Sequence, residues 1–285
     1  MIRTSHLTLL CVAALASVAA ATCGAATPAE LIAQADLAYT TRYLQESMTE
    51  AIALYEAVLP DLETLSAWSQ TYVLNRLSQL CYEAALFAEG HTPEDEVLYT
   101  KGKEYAFRSL RLNEAFAEHE PDGIEGALAY ATDVAALHWA ASSWGMICGI
   151  HPIQGLMQQG SVNAMFARCV ELEPGFWGGS SASSLGSLLI MTPGTLGGDD
   201  ERGLELVEAS IASNPDYLHN RIILAEYWGF TYNMFGALTG VRDAELIERE
   251  TTAILESEIG DWPFWNRQAK IAAERLLAWL RDLSD

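Results

Sequence analysis

Eight of the chain's 21 glycines fall within the 29 residues from Gly175 to Gly203, GFWGGSSASSLGSLLIMTPGTLGGDDERG. Two glycine-dense turns, Gly175/Gly178/Gly179 and Gly194/Gly197/Gly198, bracket a short apolar stretch, Ser181–Met191, long enough for three turns of helix. Glycine supplies left-handed turns and lets backbones approach closely. Asp199, Asp200 and Glu201 then suit the start of a second helix, where carboxylates cap free N–H groups and meet the positive end of the dipole. The segment therefore reads as a tight helical hairpin whose structural turn residues are Gly178, Gly179, Gly194, Gly197, Gly198 and Asp199.

The flanking sequence keeps the same period. Apolar residues recur at helical spacing, and no run alternates convincingly as a strand. The pattern predicts helices over Pro28–Arg42, Ser47–Leu59, Leu65–Glu89, Glu94–Asn113, Asp122–Met146, Ser161–Leu172, Asp216–Phe235, Asp243–Glu258 and Pro263–Leu283. An irregular link is expected over Gly149–Gly160. Thr92 and Pro93 have the chemistry of a cap and a first helical residue. Helices without strands imply an all-α fold, and short turns imply antiparallel neighbours.

A spacing recurs in the second helix of each expected pair: Ala51/Tyr55/Val58, Gly102/Ala106/Ser109, Val162/Phe166/Cys169 and Gly203/Val207/Ser210. Pro174 and Pro215 follow the last two sets in register. The pattern resembles the second helix of a tetratricopeptide repeat, with small residues at close contacts and a terminating proline. The repeat length is irregular, so the expected architecture is an irregular tetratricopeptide-like helical-hairpin array with insertions.

At the N-terminus, Arg3 and the apolar run Leu7–Ala21 read as an export signal, too short for a stable membrane span. Residues 1–26 are taken as the leader and residues 27–285 as one all-α domain. Cys23 offers an alternative, a lipidated first residue, although Ala20 and Thr22 depart from the usual lipobox. Acids outnumber bases by 38 to 16, giving a formal charge of −22. Nucleic acid, which needs a cationic surface, is excluded as a partner. Cys81, Cys148 and Cys169 lie in apolar helical patterns and are expected as buried free thiols.

No catalytic or metal-binding motif is present, so neither a catalytic residue, a metal nor a cofactor is assigned. The serines Ser180, Ser181, Ser183 and Ser184 have no histidine nearby in sequence and read as packing residues. His138 is the one histidine set among apolar neighbours, and a hydrogen-bonded core imidazole is the expectation for it. Aromatic residues are the more distinctive signal. Trp139, Trp144, Phe176, Trp177, Tyr227 and Trp228 crowd the middle of the chain, and Trp262, Phe264 and Trp265 open its last helix. Two readings stand for the first six: helix–helix core, or the wall of an apolar ligand cavity where regular packing breaks.

Several strings in order, HWAASSWG at 138–145, PGFWGG at 174–179, SLGSLLIMTPGTLGGD at 184–199, SNPDYL at 213–218, LAEYWG at 224–229 and NRQAKIAAERLL at 266–277, resemble the T-component family of tripartite ATP-independent periplasmic (TRAP) transporters. That resemblance implies a non-enzymatic periplasmic accessory subunit, held in some members by a lipid. It also implies a homotrimer, docking to the solute-binding P component, and an apolar passage for a hydrophobic ligand. The rival expectations are a general scaffold for envelope assembly, with a peptide-binding groove, and a hydrolase built on the serine-rich hairpin.

Overall fold

The computed structural model describes residues 26–87, 92–233 and 236–283. The expected leader, apart from Ala26, and the lipidation candidate Cys23 lie outside these residues, as do His91 and Phe235. The chain opens with α1 (Pro28–Thr40), α2 (Gln45–Glu56), a 3-10 turn, α3 (Ala67–Phe87) and α4 (Pro93–Leu110). Two short helices follow, α5 (Glu114–His119) and α6 (Ile124–Ala127), before the long pair α7 (Val134–Ile150) and α8 (Pro152–Leu172). Next come α9 (Phe176–Met191), α10 (Asp200–Ser213) and α11 (His219–Ile223), the last running into a wider π turn at Leu224–Trp228. Strands β1 (Phe230–Tyr232) and β2 (Leu238–Val241) form a small antiparallel ribbon, and α12 (Ala244–Glu256) and α13 (Pro263–Asp282) close the described chain.

The all-α expectation holds, because helices make up nearly all of the regular structure. Consecutive helices pack as pairs: α1 with α2, α3 with α4, α7 with α8, α9 with α10, and α12 with α13. Contacts of α4 with α7 and of α8 with α9 join the pairs. Caps fix where several helices start. Thr27 and Glu30 form a reciprocal capping box on α1, and Thr92 and Asp95 form another on α4.

Three stretches differ from the sequence expectation, and one small element is new. The helix expected over Asp122–Met146 breaks, because Gly123 takes φ 129° and the chain is extended again before Asp133 caps α7. The irregular link expected over Gly149–Gly160 is helical, with only His151 between α7 and α8. Gly155 makes that tight return feasible, since a Cβ there would lie 2.3 Å from the Cys148 carbonyl oxygen. The helix expected over Asp216–Phe235 ends at the π turn. Gly229 follows, packed so closely on Ile247 that a Cβ would lie 2.4 Å from it, and β1 begins. The ribbon itself was not expected; its strands are too short for alternation to register.

Every residue of the recurring four-three spacing is buried, from Ala51 and Tyr55 on α2 and Val58 just after it to Gly203, Val207 and Ser210 on α10. The small members sit where helices cross. A Cβ on Gly102 would meet the Ser143 hydroxyl at 3.0 Å and the Ser78 carbonyl at 3.1 Å. On α9 and α10 the approach is tighter, since a Cβ on either Gly186 or Gly203 would lie 2.6 Å from the carbonyl oxygen of the other. Cys81 and Cys169 are buried free thiols, as expected, and burial pushes both up to about 12. Cys148 is also free but only partly buried, because it lies near the exposed end of the α7–α8 pair.

Gly203→Ala forces two helix backbones apart, whereas nothing lies within 4 Å of a Cβ placed on Gly194. Chemical denaturation is expected to show a loss of about 2 kcal/mol for Gly203→Ala, in the range of overpacked cores. Gly194→Ala is expected to stay within about 0.5 kcal/mol of the parent.

Candidate ligand site

The glycine hairpin does more than join two helices. Before its regular part, three consecutive residues are left-handed: Trp177 (φ 49°, ψ 50°), Gly178 (φ 67°) and Gly179 (φ 80°). For two glycines this is free, but Trp177 is the one non-glycine residue with positive φ among the described residues. A bulky L-residue in this region gives up about 1–2 kcal/mol, so the surroundings must hold it there. They do so through the carbonyls of the turn. Asn220, fully buried on α11, donates to the Gly178 carbonyl at 2.8 Å, and the Ser210 hydroxyl shares its proton between the Leu206 carbonyl at 2.8 Å and the Gly179 carbonyl at 3.1 Å. Ser183 in turn donates to the Asn220 side-chain oxygen at 2.8 Å.

This turn delivers Trp177 to a nest of aromatic rings where α3, α7, α9, α11 and α13 meet. Trp177 stands edge-on to Trp139 at 5.3 Å and to Trp262 at 5.4 Å. Tyr217 lies against Trp262 at 4.7 Å, His219 against Trp265 at 4.9 Å, and Tyr82 faces both Trp139 and Trp265. Offset and edge-on pairs at such separations add about 0.5–1.5 kcal/mol each beyond the area they bury. Tyr217 packs on the bare α-carbon of Gly178, where a Cβ would lie 2.8 Å from its ring. Its backbone is set by Asn266 of α13, whose side chain bonds the Leu218 N–H at 3.0 Å and the Asp216 carbonyl at 2.8 Å.

Of the six residues expected to wall a cavity, Trp139, Phe176 and Trp177 come together here. Phe176 meets His138 at 5.4 Å and Trp177 at 6.2 Å. Tyr227 lies on the π turn in a neighbouring cluster with Trp228, and the Glu226 carboxylate, with burial, raises its hydroxyl well above the usual range. The other two do not join the nest. Trp144 lies on the α4–α8 side, under the Lys103 ammonium and donating to Gln158 at 2.7 Å. Trp228 lies beneath the Arg242 guanidinium at 4.6 Å. Tyr82, Tyr217 and His219 belong to the nest but carry no signal in sequence, because each sits in an ordinary helical or turn context.

The nest is electrically quiet. Burial lowers His219 to about 4 and His138 to about 3, so both imidazoles are neutral at ordinary pH. Burial raises the Tyr82 hydroxyl far above its usual range. The nearest full charges are already satisfied: Glu83 accepts from Arg42 at 2.7 Å, from Gln79 at 2.8 Å and from the Trp265 indole at 2.9 Å. Glu226, raised by burial, stands 3.6 Å from Arg275. Tyr82, Trp177, His219, Glu226, Tyr227 and Trp262 nonetheless keep some accessible surface. The Trp177 indole N–H is buried and has no hydrogen-bond partner.

The serine cluster does have a histidine, contrary to the sequence reading. His138, 43 residues away in sequence, shares a 2.9 Å hydrogen bond with the Ser181 hydroxyl. The expected core imidazole is thus observed, with the partner unforeseen. Ser181 is fully buried and His138 is 2 % exposed. An imidazole lowered to about 3 is a poor base, so this pair has the marks of packing rather than nucleophilic chemistry. Among the described residues, no group of three or more His, Cys, Asp or Glu stands together as a metal site. A separate open cleft of about 450 Å³ lies between the start of α3 and the end of α4, with Trp68, Ser109, Leu112 and Asp133 in its wall and none of the six expected aromatics.

A family model described as the TRAP transporter T-component matches residues 91–233, half of the chain. The matched stretch runs from α4 through β1 and includes the glycine hairpin, Trp139, Trp177 and Tyr217; Tyr82, Trp262 and Trp265 lie outside it. Comparison with curated proteins gives no match.

The neutral histidines make stability depend on pH. Above pH 6.5 they are uncharged in both the folded and unfolded chain and contribute no slope. Below it the unfolded chain takes up protons that the folded chain refuses until about 4 for His219 and about 3 for His138. Stability therefore falls on acidification from pH 6.5 to 4.5, by about 1.4 kcal/mol per pH unit for each histidine fully titrated in the unfolded state. In His138→Gln, urea denaturation at several pH values is expected to show a shallower slope by one histidine's share.

Proposed function

The chain belongs to the TRAP transporter T-component family, and on that premise we propose that it is a non-enzymatic accessory subunit which docks the solute-binding component in the periplasm and holds a hydrophobic ligand. The family match over α4 to β1 carries the transport role. Family membership also places the protein in the periplasm or at a membrane, and among the described residues no helix is long and apolar enough to cross one. On this reading residues 1–26 are a cleaved leader, or cleavage falls just before a lipidated Cys23, and residues 27–285 work as one domain. The homotrimer is proposed on family resemblance alone.

The ligand-holding part rests on the nest. Tyr82, His219 and Glu226 keep accessible surface while burial disfavours their ionised forms. Surface that water can touch, walled closely enough to exclude an ion, is the signature of a recess rather than of the outer face. Trp139, Phe176, Trp177 and Tyr227 are its proposed walls, with Tyr82, Tyr217, His219, Trp262 and Trp265 added. Trp144 and Trp228 are left out, since their rings pack under the cations of Lys103 and Arg242 elsewhere. The absence of catalysis is supported by the family's accessory role and by the seclusion of Ser181 and His138.

Affinity purification of the chain from its own periplasm is expected to bring down a TRAP solute-binding protein. Mixing the two purified proteins at micromolar concentration is expected to give a complex by native mass spectrometry. Failure to form one removes the docking role.

A further inference from the structure

We infer that the exposed apolar stripe on the first two turns of α8 is the surface through which a second copy of this chain docks; it rests on the self-association put forward above and gives that association a place on the molecule.

Met157 and Ile153, 87 % and 75 % exposed, are the two most exposed large apolar side chains among the described residues, and they lie one turn apart on α8. Leu156 is 41 % exposed, and spacings of three and four put all three on one side of the helix. The opposite side is the one that packs, with Gly155 buried against Cys148. Gly160 extends the stripe by a turn, and nothing lies within 4 Å of a Cβ placed on it.

Charge sets this end of the molecule apart. The 34 residues from Val134 to Ala167 contain no Asp, Glu, Lys or Arg, in a chain where 19 % of residues are charged. Burial accounts for that along the first half of α7, but not at the start of α8, where Ile153, Gln154, Leu156, Met157 and Gln158 are all exposed. A solvated surface ordinarily intersperses charges in such a place, and an apolar patch without them marks a contact site. The charges that flank it are engaged locally. Glu96 shares a hydrogen bond with His151 at 2.9 Å, Glu125 accepts from Ser161 at 2.7 Å, and Lys103 lies over the Trp144 ring at 4.5 Å.

The sign of the remaining charge chooses the partner. Two copies that each carry a formal −22 repel across most of their surfaces, and a charge-free face is where they meet at least cost. A cationic partner would be drawn to the acidic remainder instead. A lipid surface fits less well, because a helix lying in a bilayer interface is anchored by Lys, Arg or Trp. The stripe has none of these, and Glu96 and Glu125 beside it are repelled by anionic headgroups.

Sedimentation velocity on the purified full chain tests the surface. The parent is expected to be an oligomer at micromolar concentration. Its association is expected to tighten as salt rises from about 0.01 to 0.15 M, because screening weakens the repulsion and leaves the apolar contact intact. Met157→Glu and Ile153→Glu each put a carboxylate into the stripe and are expected to weaken association about tenfold or more. Met157→Lys lowers the net charge and is expected to weaken it as well, which separates the local contact from the overall repulsion. Leu37→Glu, at a residue 73 % exposed on α1, is expected to change it little. An oligomer indifferent to the three stripe substitutions overturns the proposal and leaves self-association standing, and so does association that weakens as salt rises. A parent that stays monomeric removes the surface and the self-association together, while docking of the solute-binding component is unaffected. Stripe variants that keep the oligomer but lose the solute-binding protein, or that lose binding to phosphatidylcholine vesicles seen in the parent, assign the stripe to that other partner and overturn the proposal. Circular dichroism identifies a variant that fails to fold; the others then decide.

Discussion

A single buried carboxylate ties the two ends of the molecule together. Glu83 is wholly buried on α3, and it accepts from Arg42 after α1, from Gln79 one turn away and from Trp265 on α13, 182 residues distant in sequence. A carboxylate in such a place is tolerable only when its lone pairs are filled, and here three different segments fill them. The Arg42 guanidinium is steadied by the face of Tyr39 at 4.1 Å, whose hydroxyl bonds Gln79 at 3.0 Å. Because Trp265 is both a donor to Glu83 and a wall of the aromatic nest, the position of the site is set by the same interaction that docks the last helix on the first ones.

The second control is the absence of side chains. Gly186 and Gly203 let α9 and α10 touch backbone to backbone, and Gly178 and Gly179 let the chain enter α9 through a left-handed turn. That turn rotates Trp177 into the rings of Trp139 and Trp262. The polar residues around it, Ser183, Ser210 and Asn220, are buried because the turn's carbonyls need donors. The serine-rich composition of the hairpin is therefore a consequence of its backbone geometry, and no reactive hydroxyl has to be invoked for it.

Much of this was legible in the residues. Helical periodicity located nearly every long helix, the glycine cluster marked the hairpin, and Asp199 was rightly expected to cap α10, where its side chain accepts from the Arg202 N–H at 3.0 Å. Local signals failed where tertiary contact decided the outcome. Gly149–Gly160 looked irregular because glycine and proline are dense there, yet Pro152 sits at the first position of α8, where its missing N–H does no harm. The stretch after Asp216 looked like one helix because nothing in its composition announces a π turn or a three-residue strand. Of the aromatic candidates, those next to the hairpin reached the nest. Trp144 did not, because it lies more than a turn beyond Trp139 on α7 and faces α4 and α8. Tyr82, Tyr217 and His219 could be found only by folding the chain, since their neighbours in space come from opposite ends of it.

The aromatic nest takes members from α3, α7, α9 and α13, a span that reaches almost from one end of the described chain to the other. A polypeptide that emerges amino end first can stack α3 through α10 while Glu83 still lacks its indole and Trp177 still lacks Trp262. The nest then stands incomplete until the final helix packs on, and its aromatic rings meet water throughout that interval. Assembly order is thus written into the topology: the aromatic nest is completed by the last helix to arrive.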